Sequence, residues 1–316
     1  MQISYREAAE FLRNNDNFYI LTHASPDGDT MGSGFGLCAI LRKMGKKANV
    51  YCSDEIPARY AFLCEDYREQ SFEPETIVAV DVADAKLLGQ KLGSLYADKV
   101  ALCIDHHVSN TGYAERTLVE PNAAAACQVI YQLMAREGLT EADKTIAECL
   151  YTGIATDTGC FLFDSTSPET HIAAAELMKC GIEAGKINRR MFEQKSKARI
   201  AVEKFILDNM EYYFNDKFAV VAVTLEEMEK TGLPAEEFEG LAGLTTVLET
   251  VEVGALIRQK DEHRFKVSMR STGDVNVSEI CAGFGGGGHV KAAGCSFETS
   301  VSDAKDKLLA AVGEIL

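Results

Sequence analysis

Residues 103–112 read CIDHHVSNTG, placing a carboxylate, Asp105, and two imidazoles, His106 and His107, directly after the apolar run Val100 to Ile104. Acidic and imidazole groups crowded at a strand end lose solvation and repel one another unless cations or hydrogen bonds compensate. Stability alone is therefore a strained reason for them. A second group lies in THASPDGDT (22–30), which holds His23, Asp27 and Asp29. Two carboxylates separated by one small residue can be splayed by a turn so that each addresses a different cation, with His23 completing one coordination shell. Oxygen donors with some imidazole suit Mn²⁺ or Mg²⁺, and no thiolate lies near enough in sequence to indicate structural zinc. Asp81 closes TIVAVD (76–81) and Asp157 lies in ATDTG (155–159). Alone, Asp81 reads equally as a helix N-cap and Asp157 as a structural carboxylate.

The elements that must position these groups alternate in type. NFYILTH (17–23), KANVYC (47–52), TIVAVD (76–81) and KVALCID (99–105) read as strands, with helical patterns over 4–14, 30–44 and 84–92 between them. Such alternation predicts an α/β fold with a mostly parallel sheet flanked by helices. Ligands in those sheets bind beyond the carboxyl ends of the strands, so His23, Asp81 and Asp105 are expected on one rim. Further helices are predicted over 122–138, 141–157 and 167–181. The charged helical stretch 187–214 reads as a linker between a catalytic domain (1–186) and a smaller mixed α/β domain (215–316). In the latter, 217–224, 251–259 and 264–271 read as strands and 301–316 as a closing helix. The run GFGGGGH (283–289) reads as a loop, on the expectation that four consecutive glycines cannot hold a helix or strand.

The whole chain narrows the chemistry further. Its 316 residues are 47% hydrophobic and 25% charged, with no low-complexity tract, so folding throughout in two domains is expected. The ten cysteines are scattered singly without a CxxC pair and read as small buried hydrophobes in a reducing cytoplasm. The N-terminus lacks a basic start and a continuous apolar stretch, so neither a secretory signal nor a membrane partner is expected. A formal net charge of -16 disfavours long duplex nucleic acid, whose nonspecific binding needs many phosphate contacts from Lys and Arg. A phosphate substrate should be small and held by local cations.

Taken in order, HASPDGD, VAVD, DHH and TDTG, followed by VSMRS and GGGGHVKAAG, resemble the DHH phosphoesterases with their associated C-terminal domain, over nearly the whole chain. The set is similar to the nano-RNase subgroup, oligoribonucleases that also remove the 3′-phosphate of 3′-phosphoadenosine 5′-phosphate (pAp). The resemblance implies a dinuclear Mn²⁺ site, with Mg²⁺ as the other candidate metal. His23, Asp27 and Asp81 would hold the first ion and Asp29, Asp81, His106 and Asp157 the second, Asp81 bridging. Two such ions ~3.5 to 4 Å apart activate a water and clamp phosphoryl oxygens. By the same resemblance Asp105, His106 and His107 form the catalytic motif, with Asp105 and His107 beside the ions and His107 facing the scissile phosphate.

By the same resemblance, substrate capture is expected from the second domain, across a cleft. There Arg270 and Ser271 close a strand, the backbone N–H groups of Gly285, Gly286, Gly287 and Gly288 would form an anion nest, and His289 stands beside them. His171, which also recurs in the family, reads as structural. Leu162 occupies a position where many relatives carry a basic residue, so substrate preference transfers less directly than the metal site. The resulting expectation is a cytoplasmic, metal-dependent phosphoesterase acting on short RNA oligonucleotides or nucleotide phosphates, with oligomeric state open and a homodimer included. A phosphodiesterase of linear or cyclic dinucleotides keeps the same site, and a catalytically silent nucleotide sensor is the alternative from another class. Inorganic pyrophosphatases share the N-terminal motifs but lack the glycine run followed by His.

Overall fold

A computed structural model describes residues 1–232, 235–238 and 240–316. The chain divides into two compact units, Met1–Gln194 and Lys195–Leu316. The first contains β1 (Phe18–Leu21), β2 (Ala48–Tyr51), β3 (Thr76–Val80), β4 (Val100–Asp105) and β5 (Arg116–Val119), all parallel and ordered β2-β1-β3-β4-β5. Its helices are α1 (Tyr5–Asn14), α2 (Gly28–Lys43), α3 (Gly89–Tyr96), α4 (Ala126–Glu137), α5 (Lys144–Asp157), α6 (Pro168–Met178) and α7 (Ala184–Asn188). Alternate strand residues sort to the two faces, as the pleat requires. Ile20, Val78, Val80, Leu102 and Ile104 join the core under α1, α2, α4 and α5, whereas Leu21, Ile77, Ala79 and Cys103 pack with Leu88 and Leu92. Both faces are covered, which explains why β3 is buried along its whole length.

The strand order reverses between β1 and β3. Chain direction diverges there, and the crevice beyond their carboxyl ends receives His23 from one strand and Asp81 from the other. Helices α2 and α5 approach closely along a row of glycines at four-residue spacing. A Cβ on Gly28 would lie 2.3 Å from Thr156 Oγ1, one on Gly32 2.4 Å from the Cys149 carbonyl oxygen, and one on Gly36 2.7 Å from Leu150 Cδ2. From the α5 side, a Cβ on Gly153 would stand 2.2 Å from Cys127 Sγ and 2.7 Å from Asp29 Oδ1. This contact sets the separation between the start of α2, which carries Asp29, and the end of α5, which carries Asp157.

The second unit holds β6 (Glu211–Tyr213), β7 (Phe218–Val223), β8 (Val253–Gln259), β9 (Arg264–Ser271), β10 (Gly287–His289) and β11 (Ala292–Glu298), ordered β10-β11-β9-β8-β7-β6. Only the β7–β8 pair is parallel among the described residues. Helices α8 (Lys197–Asp208), α9 (Leu225–Thr231), α10 (Val277–Ala282) and α11 (Val301–Gly313) complete it. Phe218, Val267, Met269, Val277, Leu308 and Val312 belong to one of its cores.

Several local expectations are corrected. The 187–214 stretch is not helical throughout: α7 runs into a π-helical turn (Arg189–Glu193), α8 follows, and Glu211–Tyr213 is a strand. Residues 84–92 split at Gly89, whose φ of +75° ends a 3₁₀ turn before α3 begins. The glycine run is not simply a loop, because Gly287 and Gly288 pair with Gly294 and Ala293 of β11, so the partner strand supplies the order that glycine lacks. Among the described residues no helix is long and apolar enough to cross a membrane.

Gly32→Ala should force the α2–α5 backbones apart and lower Tm by roughly 2–10 °C. Gly185→Ala, which meets open space, should melt with the parent protein or above it. Equal melting temperatures for the two variants would contradict the close-packing account.

Candidate metal centre

Asp81 follows β3 in a left-handed conformation (φ +57°), an uncommon backbone state that Asp tolerates better than most residues. Its N–H donates to the Ile104 carbonyl at 3.0 Å, tying the turn to β4. The buried carboxylate points its two oxygens at different neighbours. Oδ2 lies 3.5 Å from His23 Nε2, and Oδ1 lies 3.7 Å from His106 Nε2. Donor atoms within 4.8 Å of one another fall into three overlapping groups: His23 with Asp27 and Asp81, Asp29 with His106 and Asp157, and Asp81 with His106 and His107. All six residues expected to hold metal are therefore brought together, with Asp81 shared.

Each donor is aimed by a second contact. Asp27 caps α2, its Oδ1 accepting from the N–H groups of Asp29 and Thr30 at 3.1 and 3.0 Å, while Oδ2 stands 3.6 Å from His23 Nε2. His23 Nδ1 contacts the Ala24 carbonyl at 2.8 Å, which turns Nε2 inward. Asp29 accepts from the N–H groups of Ala126 (2.6 Å) and Cys127 (2.9 Å), so a carboxylate on α2 caps α4. Residues 122–125 (Asn122 and the first three alanines) accordingly stay outside the helix that was expected to begin at 122. His106 Nδ1 contacts the Ala123 carbonyl at 3.2 Å, leaving Nε2 facing Asp29, Asp81 and Asp157 at 3.8, 3.7 and 3.3 Å.

Asp105 belongs to none of the donor groups among the described residues. Fully buried, it accepts through Oδ1 from the His106 N–H and from His107 Nδ1, both at 2.8 Å, and through Oδ2 from Asn110 Nδ2 at 2.6 Å. It thus fixes both histidines of the motif. Asn110 was missed by the sequence reading although it lies in the same stretch; its spacing from Asp105 was the available signal.

The charge balance of the cluster points the same way as its geometry. Burial, with repulsion from neighbouring carboxylates, raises the carboxyl groups of Asp81 and Asp157 well above their ordinary range, and burial raises Asp29. Burial lowers His106. Burial alone would also lower His23, but Asp27 and Asp81 outweigh it and push that imidazole up to about 11. Asp81 Oδ1 and His106 Nε2 are buried with no hydrogen-bond partner. Orphaned atoms of a carboxylate and an imidazole, turned toward each other just beyond hydrogen-bond reach, are what a shared cation would satisfy. The donor set fits a divalent ion that favours oxygen with some nitrogen.

In the second unit, Arg270 on β9 and His289 on β10 both stand opposite Ala292 of β11. Directly opposed residues share a sheet face, so the two cationic-capable side chains lie on one face with a small residue between. Arg270 is half-buried and Nη1 donates to the Met269 carbonyl at 2.9 Å; burial lowers its pKa. Ser271 is buried and donates to the Gly273 carbonyl at 3.3 Å. The four-glycine nest is corrected, since the N–H groups of Gly285 and Gly286 donate to the carbonyls of Ala282 and Cys281 that end α10. His171 is exposed, stacks on Phe161 at 5.2 Å and joins none of the donor groups; Leu162 is 83% exposed in the turn after α5.

The raised carboxyls give metal-free protein a definite pH dependence. A folded pKa above the unfolded value supports stability below the unfolded pKa and loses that support as pH rises through the folded one. Metal binding needs the deprotonated donors, so the Tm increase on adding Mn²⁺ should grow from about pH 5 to about pH 8. Asp81→Asn should match or exceed the parent Tm without metal and lose most of the Mn²⁺ increment. An undiminished increment in that variant would rule Asp81 out of the site.

Residues 17–154 match the DHH family, N-terminal domain, and residues 215–316 match the DHHA1 domain. The chain is 33% identical to the bifunctional oligoribonuclease and PAP phosphatase NrnA of Thermus thermophilus, over 98% of this chain and 94% of that protein. The Bacillus subtilis protein of the same name is 26% identical over 93% of each chain. The cyclic-di-AMP phosphodiesterase PdeA of Listeria monocytogenes is 24% identical over 96% of this chain but 48% of its own length. An exopolyphosphatase-related protein from Bacteroides fragilis has a crystal structure that superposes with a TM-score of 0.88 at 26% identity, covering 98% of this chain and 96% of that one. By its matched domains and its near-full-length likeness to these proteins, the chain belongs to the DHH phosphoesterase family and carries the DHHA1 domain.

Proposed function

We propose that the chain is a metal-dependent hydrolase that degrades short oligoribonucleotides and removes the 3′-phosphate of pAp. The observation that carries this reading is Asp81, whose two oxygens face separate groups of metal-type donors in one crevice. The near-full-length relatives named for oligoribonuclease and PAP phosphatase activity support the substrate class. These donors would suit two divalent ions, Mn²⁺ by preference, with Asp81 able to contribute an oxygen to each. When bound, such ions supply an activated water and neutralise charge on the phosphoryl oxygens.

The chain's own residues then divide the work. His23, Asp27, Asp29, Asp81, His106 and Asp157 would hold the ions. Asp105 orients His106 through its backbone and His107 through Nδ1, so that His107 addresses the phosphate with its other ring nitrogen. Hydrogen bonding to Asp105 raises the His107 pKa, which favours a proton donor there. Arg270 and His289, on one face of the second sheet, capture a substrate phosphate, with Ser271 next to Arg270 in the chain. The free cysteines support a reducing, cytoplasmic setting.

Purified protein with Mn²⁺ should hydrolyse dinucleotides to pentanucleotides and pAp faster than cyclic dinucleotides or pyrophosphate. Preferential cleavage of cyclic dinucleotides would instead favour the activity named for the Listeria relative. Asp105→Ala or His106→Ala should reduce kcat at least about a thousandfold. Arg270→Ala should chiefly raise KM; full activity of the first two variants would refute the roles assigned.

A further inference from the structure

A cavity of about 230 Å³ in the first unit opens directly off the donor cluster. Asp27, Gly28, Thr156 and Asp157 line it together with Arg59, Tyr60, Met191 and Phe192. Arg59 is the one cationic side chain among these lining residues, in a chain whose net charge is -16. Its guanidinium lies over the Tyr60 ring, 4.7 Å from the centroid, and is exposed.

The position of Arg59 is built rather than incidental. It lies in a short 3₁₀ turn (Ala58–Cys64), whose Tyr60 and Leu63 are buried against Met31, Phe35 and Cys149. Arg190 holds the turn from behind, donating to the Ala58 carbonyl at 3.2 Å and stacking 4.6 Å from the Phe62 ring centroid. Met191 and Phe192 continue from that arginine into the cavity wall. A half-buried apolar surface thus faces the cavity beside a supported, exposed cation.

We propose that Arg59 is a substrate-positioning residue that binds a phosphate flanking the one being cleaved, with Met191 and Phe192 against the adjoining sugar or base. The inference rests on the phosphoesterase reading and adds a residue and a substrate feature to it. Asp27 and Asp157 would be neutralised by the ions they hold, so Arg59 is the lining side chain left to meet the charge of a further phosphate. Arg59 is exposed, and Asp81 and His106, which carry the orphaned atoms, are not among the residues lining this cavity; that separation suits a phosphate beside the reacting one. A planar guanidinium offers forked donors to phosphate oxygens while its face rests on the Tyr60 ring.

Steady-state kinetics with Mn²⁺ test this on two substrates: a trinucleotide, which has a flanking phosphate, and bis-p-nitrophenyl phosphate, which has none. Arg59→Ala should raise KM for the trinucleotide roughly tenfold to hundredfold, with kcat within about threefold. Its kinetics on the single-phosphate ester should stay close to the parent's, bound Mn²⁺ should be unchanged, and Arg59→Lys should recover part of the loss. Equal effects on both substrates, or none on either, would overturn the flanking-phosphate role while leaving the parent activity standing. A parent protein inactive on both substrates would remove the phosphoesterase reading and this inference with it.

Discussion

Desolvation of carboxylates gathered in one crevice, with their mutual repulsion added, is the constraint around which the first unit is arranged. Asp29, Asp81 and Asp157 reach one crevice from three separate elements, and burial disfavours their charged forms. Hydrogen bonds relieve part of that penalty: Asp29 accepts two backbone N–H groups of α4, and Asp27 caps α2. Nothing of that kind satisfies Asp81 Oδ1 or His106 Nε2. A cluster so balanced is stable when cations enter and strained when they leave, which couples metal occupancy to the folded state.

The scaffold makes that balance geometrically available. A parallel sheet whose strand order reverses between β1 and β3 opens a crevice at the carboxyl ends, and the glycine row of α2 lets α5 come close enough to deliver Asp157. Side chains larger than hydrogen at Gly28, Gly32 or Gly153 would move the donors themselves, since their contacts include Thr156, the Cys149 carbonyl and Asp29. Packing and chemistry here share the same atoms. The DHH motif shows a related division of labour: Asp105 fixes the His106 backbone and the His107 ring, while the Ala123 carbonyl aims the His106 imidazole.

Strand-end chemistry was the most readable feature of the chain. His23, Asp81 and Asp105 each follow an apolar β-rich run, and a parallel sheet must collect such residues on one rim. Less visible was β5, whose four residues lie between charged neighbours at an edge of the sheet and show no apolar run. The glycine stretch misled because intrinsic propensity describes an isolated strand, whereas Gly287 and Gly288 are ordered by the backbone of β11. Arg59 carried no signal at all: an exposed arginine in a short turn becomes noteworthy only when the turn is seen beside Asp27 and Asp157.

By itself the sequence determined which residue types end each strand, how they are spaced, and therefore that acidic and imidazole donors would gather on an α/β rim. Local pattern suffices for that, because side-chain alternation and strand direction follow from a few neighbouring residues. Only the tertiary structure decided which oxygen of Asp81 faces which histidine, that α4 starts where Asp29 caps it rather than where its alanines begin, and that Arg270 and His289 share a row of the second sheet. Each of these depends on contacts between residues far apart in the chain, whose free energies do not exist until the partners meet.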